Sequence, residues 1–514
     1  MSHRSTSALS VVSLMLACAL VSAAALASSG GIVHAGPQPD GTGVTPQGWL
    51  VTPAGTQTTL GPGTLALAMS PRGNLLLAAN AGYLHHSLMA IDPATGAVLQ
   101  TIKEQGGKGG GWWDYSVGHA HGYYVGLVFS PNGRWAYASD GPNGSLHVFR
   151  ISGQTVDEVK SIKLADNLGN GGGYPAGIAT SDDGSRLYVV ENLDDQLDVV
   201  DPATRSVQAH IDVGNLPYGV ALSHDGSKAF VTNWGAQTVS VVNTATARVT
   251  TSVHVGTHPS AVALNPARDE LYVANSDSDT VSVLGDRTGA LLRTIDLRPY
   301  PGAPIGASPN ALAVSPDGKT LYVANAGDND VAVVALARAG VADRVEGLIP
   351  TAWYPDGLAL DPAGGTLFVS NMKGLGVGPN LDPKTYWPTL MRGTLSKIPV
   401  PSASKLDAYT KRVLANDRIN AIPTVPTGSV IPSAPGDPSP IKHVIYVMKE
   451  NRTYDQVLGD LGKGNGDPSL AIFGQKVTPN EHALASRFVT FDNFYADAEV
   501  SADGWSWVNG AYAN

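Results

Sequence analysis

"PNALAVSPDGKTLYVAN", residues 309–325, sets two apolar alternations around a Ser-Pro-Asp-Gly turn and ends on asparagine. The pattern recurs as "PYGVALSHDGSKAFVTN" at 217–233 and "PSAVALNPARDELYVAN" at 259–275, with looser copies from residues 63, 122, 175 and 355, seven in all. In the copy at 217–233, Val220 and Leu222 alternate with smaller residues at period two. His224-Asp225-Gly226 supplies a turn whose glycine can take positive φ, and Ala229, Phe230 and Val231 resume an extended strand. A second turn and a short strand follow the asparagine, as in "DTVSVLG" (279–285). Each copy therefore predicts about four strands, the content of a propeller blade.

The stretches "LYVAN" (271–275 and 321–325) and "AFVTN" (229–233) resemble the motif of the YVTN family of β-propeller repeats. The resemblance implies a mainly β fold, a seven-bladed propeller over residues 46–405. Closing the ring removes exposed sheet edges, and residues 46–60 and "GTLSKIPV" (393–400) are the candidates for its seam.

Composition agrees with a turn-rich β protein. The chain has 514 residues, 43% hydrophobic and only 15% charged, with 59 Gly and 35 Pro. The net charge of −10 comes without a basic cluster, which argues against nucleic acid and anionic membrane as partners. Residues 1–35 read as a signal peptide: Arg4 precedes an apolar core at Ala8–Leu20, and Ala25-Leu26-Ala27 offers a cleavage site. Cys18, the single cysteine, lies inside it; lipidation there is the alternative to ordinary cleavage. The mature chain is expected to be secreted or periplasmic, without a membrane span, and monomeric.

Two regions stand outside the repeat. A Gly-rich insertion, "KEQGGKGGGWWDYSVGHAHG" (103–122), carries Trp112, Trp113, His119 and His121. These residues either bind an extracellular ligand, with His85 and His86 assisting at a metal, or pack on the propeller rim. A proline-rich linker at 421–440 then leads to residues 441–514. There "IKHVIYVM" (441–448) predicts a strand buried on both faces, and Tyr454, Val457, Leu458 and Leu461 have helical spacing. Glu450 and Asn451 at their junction offer oxygen ligands to a hard cation, or simply start a loop and cap a helix. Ser501, at a second strand-to-helix turn, is a nucleophile or a helix cap.

"IKHVIYVMKENRTYD" and "FDNFYADAEVSADG" resemble the phosphoesterase family of bacterial phospholipases C and acid phosphatases, in the alkaline phosphatase superfamily. The resemblance implies an incomplete α/β segment after the propeller. It also implies hydrolysis of a phosphate-ester substrate by Ser501, with Glu450, Asn451 and Ser501 holding a divalent metal ion (Mg, Ca, Mn or Zn). Trp505 stands where such two-module relatives carry histidine, and the family's remaining metal ligands lie beyond the nucleophile, so the chain is expected to be a truncated, inactive version. The alternative is a non-catalytic extracytoplasmic propeller that binds a ligand and carries an inert C-terminal tail.

Overall fold

The computed structural model describes residues 34–46, 48–82, 85–103, 122–164, 173–299, 303, 305–338, 341–378, 389–419, 429–431, 438–494, 504, 505 and 508. Its strands form seven four-stranded antiparallel sheets and one small three-stranded sheet, Gly36–Pro37, Gly43–Val44 and Leu50–Val51. The seven sheets are blades 1 (64–103), 2 (127–163), 3 (175–212), 4 (217–254), 5 (259–296), 6 (309–350) and 7 (353–399). Blade 7 takes its fourth strand from Thr56–Thr59, which pairs antiparallel with Thr394–Pro399, so the expected seam forms with Thr59 opposite Thr394. The first strand of every blade touches the first strand of the next, including blade 7 against blade 1, so the ring closes.

The repeat's residues explain this geometry. Ser315 Oγ donates to Asp317 Oδ1 at 2.7 Å and accepts the Thr320 N–H at 2.9 Å, folding the Ser-Pro-Asp-Gly turn in which Gly318 takes φ +67°. The second strand of each blade is sandwiched between neighbouring blades, and Leu321 to Asn325 are all buried. Between blades 5 and 6, Val281, Val283, Leu321 and Val323 share one core. The terminal asparagine ties the second strand to the third. Asn275 Nδ2 donates to Thr280 Oγ1 and Ser282 Oγ at 3.0 Å each, and Asn233 does the same to Thr238 and Ser240.

A helix, α1 (Ala403–Asn416), follows blade 7 and covers the outer strand of blade 6. Ser402 caps it, Leu406 and Val413 are buried, and Thr410 Oγ1 accepts the Leu348 N–H at 2.9 Å. No helix among the described residues is long and apolar enough to cross a membrane. Residues 1–33 and most of the linker at 421–440 lie outside the described residues.

One expectation fails. Residues 441–448 form no strand, and Ile445 and Val447 are 90% and 80% exposed. A strand buried on both faces needs neighbouring strands and covering helices, and the described residues supply none here. The helix after it does form, as α2 (Tyr454–Leu458), with a Thr453–Gln456 capping box. A further helix, α3, spans Pro479–Arg487.

Candidate functional site

The blades' first strands line the ring's centre, and a single position of the repeat decides what they present. In five blades the residue before the strand's proline has positive φ: Tyr174, Leu216, His258, Ser308 and Tyr354. A non-glycine residue held there costs of order 1 kcal/mol, and such strain gathers at functional sites. Loops of the preceding blade hold the turn: Asp195 Oδ1 accepts the Leu216 N–H at 2.7 Å, Asp279 Oδ1 that of Ser308 at 3.1 Å and Asn329 Oδ1 that of Tyr354 at 2.9 Å. The residue after the proline then turns inward. Tyr218, Ser260, Asn310 and Asp356 occupy it in blades 4 to 7 and line a central funnel of about 400 Å³.

The funnel's chemistry is acidic and aromatic. Asp277 and Asp356 are its acidic side chains, Tyr124, Tyr218, Tyr354 and Trp234 its rings, and neither lysine nor arginine lines it among the described residues. Asp356 accepts from Ser370 Oγ at 2.9 Å, while its Oδ2 is buried with no partner among the described residues. Funnel solvent touches the residue, but protein surrounds it on every side, and desolvation pushes its carboxyl well above the usual carboxylate range. Asn310 Oδ1, one blade away, is likewise buried without a partner among the described residues. Burial also raises Tyr124 to about 12, so the phenol stays neutral.

Behind two of the lining residues, Asp277 and Trp234, His258 Nδ1 hydrogen-bonds Asp277 Oδ2. Its ring stacks on Trp234 with centroids 3.8 Å apart and planes 9° from parallel. With Nδ1–H on the carboxylate, the basic lone pair belongs to Nε2, and the indole fixes the ring plane. The arrangement offers a carboxyl whose protonated form is favoured by desolvation, an imidazole oriented by a carboxylate and an indole, and aromatic faces for a ligand's apolar side.

Blade 3 carries a second departure from the repeat. Glu191 stands where blades 4 and 5 have asparagine, and Asp198 where they have serine. Both oxygens of Glu191 are buried without a hydrogen-bond partner among the described residues. Desolvation, and then the charge of Asp198, raise its carboxyl to about 9. Asp198 rises to about 6 through burial, held back by His210, whose Nδ1 lies 2.6 Å from it.

None of the funnel's residues is among those singled out from the sequence. The signal was present, because the residue after the proline changes in chemistry from copy to copy (Ala176, Tyr218, Ser260, Asn310, Asp356) while the proline itself and the small and apolar residues that follow recur. Of the singled-out residues, Trp112, Trp113, His119, His121 and Ser501 lie outside the described residues. His85 and His86 begin the third strand of blade 1, and burial lowers the pKa of His86. Glu450 and Asn451 are exposed between residues 441–448 and α2. Hard cations take about six to eight oxygen ligands, and among the described residues Glu450 joins no group of three potential metal ligands. The two donors therefore do not fit a metal ion by themselves, and no step is derived through one.

The chain matches the family model described as "Lactonase, 7-bladed beta-propeller" over residues 126–246 and 259–377, entirely within the ring. Among curated proteins, none matches. Hydrazine synthase of Kuenenia stuttgartiensis is similar at 20% identity and a TM-score of 0.50, covering 64% of this chain and 98% of that one. U3-55K is similar at 14% identity and a TM-score of 0.51, covering 67% and 98%. At these identities the two structures share the fold alone. The chain thus contains a seven-bladed β-propeller, part of which matches the lactonase propeller model.

Proposed function

We propose that the propeller hydrolyses a small, uncharged cyclic ester bound in the central funnel. The observation that carries this reading is the funnel lining, where Asp356 Oδ2 and Asn310 Oδ1 are buried without partners among the described residues and desolvation pushes the Asp356 carboxyl well above the usual carboxylate range. Orphaned polar atoms in a cavity are satisfied by a ligand. The lactonase description of the matching family supports the reaction class.

In this reading the ester carbonyl oxygen accepts a hydrogen bond from protonated Asp356, which polarises the carbonyl. Water attacks the carbonyl carbon as its proton passes to Nε2 of His258, and Asp277 stabilises the imidazolium. The tetrahedral adduct then collapses. The ring C–O bond breaks, the departing alkoxide takes the proton back from His258, and a hydroxy acid leaves. Among the described residues the lining has two carboxyl groups and no lysine or arginine, so phosphorylated and carboxylated lactones are disfavoured substrates.

A pH-stat assay over neutral and anionic lactones tests the reading. Turnover of neutral lactones is expected, falling about 100-fold or more in kcat/KM in Asp356→Asn and His258→Gln. Lactone binding without turnover would replace the enzyme by a non-catalytic binding module. Turnover unchanged in both variants would remove the funnel from the chemistry.

A second reading rests on the resemblance of residues 441–514 to phosphoesterases. In it the chain is an exported phosphoesterase in which Ser501 attacks phosphorus, the ester's alcohol leaves, and water then releases phosphate from the serine; Glu450, Asn451 and Ser501 would hold a divalent metal ion, which would stabilise charge on the phosphoryl oxygens. Aryl phosphate hydrolysis that requires added Mg, Mn, Ca or Zn and disappears in Ser501→Ala would establish it. Its absence under all four metals would leave the funnel as the site of ester chemistry.

A further inference from the structure

Three turns meet on the ring between blades 4 and 5, and they break the repeat together. His224 stands where the turns of blades 1, 2, 5, 6 and 7 have proline (Pro71, Pro131, Pro266, Pro316 and Pro362). Asp269 stands where the turn of blade 6 has Lys319 and that of blade 4 has Ser227. Asp286 follows the third strand of blade 5. One ligand atom from each of the three lies within 4.8 Å of the others.

His224 Nδ1 lies 2.9 Å from Asp286 Oδ2. Asp286 is only 2% exposed, and its Oδ1 has no hydrogen-bond partner among the described residues. A carboxylate oxygen buried without a donor is costly unless something cationic meets it. Asp269 and His224 are exposed, so an ion can enter from solvent.

We infer that His224, Asp269 and Asp286 form a binding site for a divalent transition metal of the zinc class, clamping blade 4 to blade 5. One imidazole and two carboxylates suit zinc, whose three-ligand sites leave a fourth position to water. A tetrahedral zinc keeps its ligand atoms roughly 3.3 Å apart, so the side chains close slightly around it, and the two exposed ones have the freedom to do so. Binding through Nδ1 of His224 replaces its hydrogen bond to Asp286 and leaves the imidazole N–H on Nε2. It also displaces Arg287, whose Nε lies 3.1 Å from Asp269 Oδ2. That pair is 77% and 56% exposed and therefore weak.

The test is calorimetric titration of the untagged full chain with ZnCl2 at neutral pH, alongside thermal unfolding with and without the metal and a MgCl2 control. His224→Pro restores the repeat's own residue and removes one ligand, while Asp269→Asn removes an exposed one. Zinc is expected to bind the wild type and raise its Tm by several degrees, magnesium to do neither, and each variant to lose at least tenfold in zinc affinity. Should His224→Pro fail to fold, Asp269→Asn decides. Wild type and Asp269→Asn giving the same isotherm, or no zinc binding by the wild type, would overturn the site.

Discussion

In blade 5, Asn275 closes the second strand onto Thr280 and Ser282 with two hydrogen bonds, all three groups neutral at any ordinary pH. In blade 3 the same backbone carries Glu191 facing Gln196 and Asp198, and the carboxyl keeps its proton up to about 9. The two blades fill one position in two ways, with a neutral amide and hydroxyl in blade 5 and with an acid in blade 3. The acid of blade 3 is accommodated by keeping its proton, at a stability that depends on pH. Asp356 in blade 7 makes the same exchange one strand further in, where blades 5 and 6 have Ser260 and Asn310.

The largest expected effect comes from making blade 5 like blade 3. Asn275→Glu with Ser282→Asp removes both hydrogen bonds and lacks a counterpart of His210, so unfolding in urea at pH 8 is expected about 3–5 kcal/mol less stable, with an unchanged m-value. A cost below about 1 kcal/mol would show that the asparagine contributes little.

The reciprocal change, Glu191→Asn with Asp198→Ser, is expected to stabilise blade 3 by about 2 kcal/mol at pH 8. Here the sign follows from proton binding. Glu191 ionises near 4.5 when unfolded and near 9 when folded, so the folded chain holds the extra proton between those values. Its stabilising contribution is complete below 4.5 and is lost as pH rises toward 9. Glu191→Gln alone is expected to flatten part of this slope, measured as Tm against pH from 4.5 to 9. A variant whose slope matches the wild type would mean that Glu191 titrates normally.

The smallest effect is His210→Ala. The imidazole is 37% exposed beside a buried Asp198, and losing it is expected to cost about 1 kcal/mol or less near pH 6, read from the urea midpoint.

The blades were legible because each is local: period-two strands, a Ser-Pro-Asp-Gly turn and a terminal asparagine all lie within about 20 residues. Their number even located the seam at Thr56–Thr59. The funnel was not legible, because Asp356 and Tyr218 look ordinary until seven copies are laid side by side and the ring brings them together. Helix α1 was missed although Ser402 and the buried Leu406 and Val413 mark its cap and inner face. Residues 441–448 were misread for the opposite reason: "IKHVIYVM" has the composition of a buried strand, but burial depends on partners the stretch cannot encode.

The central claim is that Asp356 is a neutral carboxyl in the funnel lining, and infrared difference spectroscopy of wild type against Asp356→Asn at pH 7 tests it most directly. A protonated carboxyl band that is lost in the variant, and that shifts when a lactone is added, is the expected result. A difference spectrum showing only an ionised carboxylate at Asp356 would contradict it.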